Sequence, residues 1–396
     1  MRATPPKLMS SSDPQVSLLN KEKYRSEAKF RLTQLRRLPI LRALRNLTRW
    51  EPLDNPAEGY SIIIGCNTRL ARMLSCNLKY LVRQDLSHLA KILIIFDRPR
   101  EEMPDDIEAV ISSRFPTLPI EVLYYTKLQQ RIASALHWPS VQAWLSWSIG
   151  IGRLETQYGF LHDFDAMLLR ADMIEERFRT ICERGDEYLG IRFYEGHGLV
   201  PDDELATTFE LMFNAQFVRR AFVPLDLFNH VARFKGRRVD FDTFLYAQSR
   251  RGKASTAAVA EEDLVHPSQL ITEFENLLGG LRSVPHDNNL LLVPYFLFAA
   301  HEPDVMVQLT QDLENGAGSS VSFFGKALEL SAMAPDRFRW IVKQAYRLER
   351  SDSGCIRDAV RRYFMAADKF IARAGKRDSV LDSSEAEIER ELGAVE

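Results

Sequence analysis

Asp163-Phe164-Asp165 follows the apolar run Tyr158-Gly159-Phe160-Leu161-His162, so two carboxylates with one bulky spacer stand where a buried strand should emerge. In an extended segment alternate side chains share a face. Asp163 and Asp165 are therefore expected to point together, with Phe164 turned to the core. Two hard oxygen ligands suit Mg²⁺ or Mn²⁺, ions that keep positions open for water and substrate phosphate oxygens. The same tripeptide occurs in solvated turns and at helix N-caps, and its place at a strand's carboxyl end is what favours metal and diphosphate binding. His162 precedes the first Asp and should face the other side of the strand, in a core or supporting role.

The elements that must position this motif alternate along the chain. Tyr60 to Gly65 reads as an apolar strand ending in Gly65-Cys66-Asn67-Thr68, and Arg69 to Arg83 has helical periodicity. A second strand, Lys91 to Phe96, ends at Asp97. A helix over Asp105–Arg114, a strand over Ile120–Tyr125 and a helical stretch over Lys127–Ile149 precede the strand that delivers Asp163; a further strand is expected at Glu187–Phe193. Continuous apolar strands alternating with helices indicate a mostly parallel α/β sheet flanked by helices. In such open sheets ligands bind beyond the carboxyl ends of strands, where Gly65, Asn67, Asp97, Asp163 and Asp165 all fall.

The chain has 396 residues, 45% hydrophobic and 27% charged, with a net charge of -2. That charge argues against nucleic acid as a partner. Cys66, Cys76, Cys182 and Cys355 are scattered without a C-x-x-C pair, which points to a reducing, cytoplasmic compartment. The apolar stretch Leu290–Ala300 contains Pro294 and is too short to span a bilayer.

Five regions are expected: a disordered start at 1–20, a basic amphipathic helical segment at 21–58, a catalytic domain at 59–269, a helical C-terminal region at 270–376 and a charged tail at 377–396. Lys21 to Trp50 holds ten Lys or Arg against Glu22 and Glu27, with leucines at 32, 35, 38, 41, 44 and 47, and Pro39 is expected to divide it into two short helices. Such a segment can dock on the catalytic domain or rest as a peripheral contact on an anionic membrane. Helices are expected at Leu270–Leu281, Asp304–Leu313, Ser322–Ala332, Asp336–Glu349 and Asp358–Ala374.

The order of these features resembles the nucleotide-sugar glycosyltransferases of GT-A fold, the family-two-like group, over about Tyr60 to Gln269. In that group the first strand ends in a polar loop, the second in an Asp and the fourth in an Asp-x-Asp. Here these are Ser61-Ile62-Ile63-Ile64-Gly65-Cys66-Asn67-Thr68-Arg69, Leu93-Ile94-Ile95-Phe96-Asp97 and Phe160-Leu161-His162-Asp163-Phe164-Asp165. Gly65 replaces the usual Pro, and Asp97-Arg98 replaces an Asp-Asp or Asp-Gly pair. The resemblance implies a hexosyltransferase-like enzyme using Mn²⁺ or Mg²⁺ and a nucleoside-diphosphate sugar, UDP being the commonest nucleotide. It implies that Asn67 and Thr68 line the nucleoside pocket and that Asp97 accepts from the base or ribose. Asp163 and Asp165 would hold metal and donor diphosphate, and His266, in Val265-His266-Pro267, would complete the metal site.

In the same family a carboxylate at the start of a later helix serves as general base for inversion. Asp242 and Asp240, in Arg237-Arg238-Val239-Asp240-Phe241-Asp242-Thr243, both fit; Asp242 is preferred because a helix is expected over Thr243–Ser249. An Asp there could equally cap that helix. Arg250 to Ala260 reads as a mobile loop able to close over the donor. Trp144 and Trp147 are expected in the core, and His197 in a Gly-bounded turn. Two competing readings are a nucleotidyltransferase, which lacks here a Gly-rich Lys/Arg-bearing first turn, and a non-catalytic scaffold that binds protein partners.

Overall fold

The computed structural model describes residues 24, 26–136, 138–192, 199–200, 205–206, 208–267, 269–280 and 289–393. The expected disordered start and His197 lie outside them. The chain forms two compact units, one of Met1–Thr68, Val82–Phe164 and Arg170–Asp263, the other of Arg69–Leu81, Asp165–Leu169 and Leu264–Glu396.

In the first unit strands β1 (Ala57–Cys66), β2 (Leu89–Phe96), β3 (Ile120–Tyr124) and β4 (Thr156–Leu161) lie parallel in the order β4-β1-β2-β3. Ile62, Ile63, Ile64 and Ile92 to Phe96 are almost wholly buried, as strands covered on both faces must be. Helix α5 (Pro139–Arg153) starts on Pro at its first turn, the position proline tolerates best. It covers one face with Val141, Trp144, Leu145 and Ile151, and both Trp144 and Trp147 are core residues. Gly150 makes the close approach feasible, since a Cβ there would come within 2.6 Å of Ile63.

The sheet continues beyond β4 through β9 (Leu211–Asn214), β6 (Tyr188–Arg192) and β12 (Ala254–Ala258). β9 is antiparallel to both β4 and β6, and β12 runs parallel to β6. The stretch read as a mobile loop is thus in part an edge strand: its small, β-tolerant Ser255 and Thr256 pair with Leu189 and Gly190. Among the described residues, short pairs β7 (Leu199–Val200) with β8 (Leu205–Ala206), and β10 (Val231–Phe234) with β11 (Arg237–Asp240), complete the strands of this unit.

Helix α1 (Glu27–Leu44) runs unbroken through Pro39, correcting the expected division. The carbonyl that Pro39 leaves without an N–H belongs to Leu35, an exposed residue, so water can satisfy it. Leucines every three residues advance about 300° around a helix and drift by about 60° per step, so they never form one stripe. The face that packs is instead Phe30, Gln34, Arg37, Leu41 and Leu44: Phe30 and Leu44 are buried, Gln34 Nε2 donates to the Val231 carbonyl at 2.9 Å, and Arg37 pairs with Asp240. Leu32, Leu35 and Leu38 stay exposed.

The second unit holds α2 (Leu74–Leu81), β5 (Met167–Leu168), β13 (Leu264–Val265) and a helical body of α9 (Leu270–Leu278), α10 (Leu292–Ala299), α11 (Asp304–Asn315), α12 (Pro335–Ser353), α13 (Asp358–Gly375) and α14 (Leu381–Gly393). α10 carries the apolar stretch and is buried. Among the described residues no helix is long and apolar enough to cross a membrane. Ser322–Ala332, expected as a helix, forms the hairpin β14 (Ser320–Phe323) and β15 (Lys326–Glu329). Phe324 and Gly325, both at positive φ, make its turn, and Val321, Phe323 and Leu328 point inward in alternation. Within 377–396, α14 is an ordered helix: buried Asp368 accepts from the amides of Val380 at 3.0 Å and Leu381 at 2.8 Å. Leu381 and Ile388 are buried, and Glu391 pairs with Arg339 and Lys343. The charges that suggest a tail in sequence lie on its outer faces.

Candidate active site

In the first unit three parallel strands deliver polar residues at their carboxyl ends. Cys66 and Phe96 are register partners at the ends of β1 and β2, so Thr68 and Asp97 emerge side by side. Asp97 Oδ1 accepts from the Thr68 amide at 2.9 Å and from its hydroxyl at 2.5 Å. Thr68, expected to line a nucleoside pocket, and Asp97, expected to accept from the base or ribose, are therefore bonded to each other. Asn67 is buried beside them. Burial, reinforced by Asp97, pushes the Cys66 thiol well above its usual range, which leaves it a protonated wall rather than a nucleophile.

β4 ends at Leu161, and the chain turns at Phe164 and Asp165, so the motif is a turn rather than an extension of the strand. Phe164 and Asp165 are both buried and Asp163 is half-buried, so the strand alternation expected of the tripeptide is not kept. The boundary between the two units passes between Phe164 and Asp165. His162 is wholly buried and donates from Nδ1 to both carboxylate oxygens of Glu210, at 2.8 and 3.0 Å. Glu210 Oε1 also accepts from the Asp163 amide at 3.3 Å.

In the second unit β5 and β13 pair antiparallel, Met167 against Val265. That pairing sets His266 against Asp165, with Nε2 3.8 Å from Oδ1. Such a distance is too long for a hydrogen bond. It matches two ligands of one ion, whose bonds of about 2.1 Å span up to about 4.2 Å. Asp165 and His266 each offer one ligand atom, as does Asp163 two residues earlier in the chain; a carboxylate oxygen with an imidazole nitrogen suits Mn²⁺ better than Mg²⁺, which prefers oxygen ligands alone.

The two candidate bases differ. Asp240 is buried, lies 2.7 Å from Arg37 Nη1 and accepts from the Tyr24 hydroxyl at 3.0 Å. Burial first, then Asp240, raises the Tyr24 phenol to about 12. Arg37 also sits 5.1 Å from the centre of the Trp138 ring. Asp242 is exposed. Among the described residues both hydrogen bonds to its carboxylate fall on Oδ1, from Asn229 Nδ2 at 2.9 Å and the Thr243 amide at 2.8 Å. It does not cap the next helix: α8 (Leu245–Arg250) begins from Phe244, buried and left-handed at φ 72 with no side-chain cap. A bulky residue in that region costs about 1–3 kcal/mol, which Phe244 offsets by packing against the rings of Tyr188 and Phe213.

Sequence reasoning missed Glu210 and Asn229. Neither belongs to a motif; each reaches its site through a strand pairing or loop distant in sequence.

No protein-family model and no curated protein matches the chain. Among solved structures, the chain is similar to S. aureus TarS residues 1–349, with TM-score 0.34, 10% identity and cover of 79% of this chain and 91% of that one. The mannosyltransferase PcManGT from Pyrobaculum calidifontis, in complex with GDP-Man and Mn²⁺, has TM-score 0.38 and 12% identity, with cover of 87% and 96%. The galactosyltransferase LgtC has TM-score 0.34 and 9% identity, with cover of 50% and 73%.

Proposed function

We propose that this chain is a metal-dependent glycosyltransferase of GT-A type that moves a sugar from a nucleoside-diphosphate sugar to an acceptor hydroxyl with inversion. The observation that carries the reading is the pairing of Asp165 with His266 immediately after Asp163. A carboxylate and an imidazole so placed, two residues after a first carboxylate in the chain, fit a divalent cation and the diphosphate it accompanies. A cation held there supplies a Lewis acid for the negative charge that grows on the leaving diphosphate. Thr68 and Asp97 support the nucleoside, with Asn67 beside them. Asp242 takes the proton of the acceptor hydroxyl as its oxygen bonds to the sugar C1 and the bond from C1 to the phosphate oxygen breaks. Asp240 serves structure instead, since its carboxylate is committed to Arg37 and Tyr24.

A thermal-shift panel of UDP, GDP, CDP and dTDP, with and without Mn²⁺, tests this. One nucleotide should stabilise the wild type only with Mn²⁺, by about 2.7 kcal/mol at a hundredfold excess over Kd, and Asp165→Asn should abolish the effect. A flat response of the wild type across the panel would sink the proposal. We also assign to the exposed Leu32, Leu35 and Leu38 of α1, flanked by exposed Lys29, Arg31 and Arg36, a peripheral contact with anionic lipid. Co-sedimentation with phosphatidylserine vesicles should fall sharply in a Leu32→Ser, Leu35→Ser, Leu38→Ser variant; equal binding by both forms would refute the contact.

A further inference from the structure

We infer that Glu210 is a positioning residue for the Asp163-Phe164-Asp165 turn, acting through the Asp163 amide and the ring of His162. This rests on the metal-site reading above and names a group that reading does not need for chemistry.

The argument begins with register. β4 and β9 pair Phe160 with Met212 and Leu161 with Leu211, so one more step sets Glu210 across from His162 at the last position before the turn. Two donors converge there on the Glu210 carboxylate, and a third bond ties His162 to β1. His162 Nδ1 donates to both Glu210 oxygens, the Asp163 amide donates to Oε1, and the His162 amide donates to the Ile63 carbonyl at 3.0 Å. The exit of the chain from β4 is thereby tied on one side to β1 and on the other to Glu210. Both Glu210 and His162 are 1% exposed, so neither can trade its bond for one to water. The His162 ring stacks on Phe160, centroids 6.0 Å apart, which holds the ring against the Glu210 carboxylate that accepts from it.

Two further features show that the position is built rather than incidental. Glu210 has φ 52, a left-handed backbone that glycine takes freely and a glutamate takes only where its surroundings demand it. Arg177, 3% exposed on α6 (Met173–Arg184), is a buried charge in the same region; burial lowers its guanidinium to about 10, while the negative charges of Glu210 and Glu176 act in the opposite direction. A left-handed backbone and a fully buried side chain are retained for a carboxylate that, among the described residues, accepts from His162 and Asp163. Groups that orient metal ligands in this way change metal affinity by 10- to 100-fold when removed, without touching the ion.

The test measures Mn²⁺ binding directly on the full chain, by loss of the free-ion electron paramagnetic resonance signal, with and without the nucleotide that stabilises the wild type. Asp165→Asn serves as reference, and thermal melts report folding. Glu210→Gln should weaken Mn²⁺ binding about 10- to 100-fold while Asp165→Asn abolishes it. Wild-type affinity in Glu210→Gln, with binding lost in Asp165→Asn, overturns the positioning role and leaves the metal reading standing. Wild-type affinity in Asp165→Asn, or none in the wild type, overturns the metal reading and the inference with it. Should Glu210→Gln not fold, His162→Asn, which keeps a donor near the Nδ1 position, is compared with His162→Leu, which has none. Tighter binding by the Asn form supports the role, and equal binding overturns it.

Discussion

Removing the charge of Asp240 and of Asp242 should separate stability from chemistry. Asp240 is 5% exposed and the Arg37 side chain 12% exposed, so neither charge is well solvated. Their oxygen and nitrogen lie 2.7 Å apart. Asp240→Ala leaves the guanidinium over Trp138 and the Tyr24 hydroxyl facing a void, and breaking a buried pair from one side costs about 3–5 kcal/mol. At about 2–4 °C per kcal/mol for a unit of this size, Tm should fall by about 6–20 °C. Replacing both partners, in Arg37→Met with Asp240→Leu, should cost less than Asp240→Ala, because no uncompensated charge remains. Asp242→Asn is isosteric and exposed, so it should move Tm by no more than about 0.5 kcal/mol equivalent and lower kcat by about 10²- to 10⁴-fold. Calorimetric melts and steady-state rates of sugar transfer are compared at equal folded fraction. An unchanged Tm in Asp240→Ala, or full kcat in Asp242→Asn, would refute the division of roles.

Two further outcomes follow from packing and titration. Gly159→Ala places a Cβ 2.4 Å from the Phe213 ring and 2.8 Å from Leu154; urea titration should show a loss of about 1–3 kcal/mol, and an unchanged midpoint would contradict the tight β4–β9 packing. Burial lowers the His230 imidazole, only partly offset by its bond to the Leu225 carbonyl. Its folded pKa then lies below the unfolded value of about 6.5, the unfolded chain binds more protons under that pH, and stability falls as pH drops through about 6.5. His230→Gln should remove that part of the acid-side loss in urea midpoints taken at about pH 7.5 and 5.5; an identical pH dependence in both forms would discount it.

The parallel strands, their inward faces and the polar residues at their ends were legible in sequence. Each depends on local hydrophobic pattern and on alternation, which neighbouring residues set. α1 was legible as a helix, but its buried face was not: the eye follows leucines at intervals of three, while packing follows Phe30, Gln34 and Arg37 along the true helical period. The β14–β15 hairpin was misread, and the choice between helix and tail at 377–396 stayed open, because short apolar alternation and charge-rich helices gain their identity from what they cover.

Sequence alone determined the strands of the parallel sheet and where the chain would present Asp163, since hydrophobic runs and strand ends are local properties. Tertiary structure alone decided that His266 meets Asp165, that Asp240 is spent on Arg37 while Asp242 is exposed, and that Glu210 holds the turn. Each of these depends on register between segments far apart in the chain, β5 with β13, α1 with β11, β4 with β9. That register is fixed by burial summed over whole strands and helices, a quantity no short motif contains.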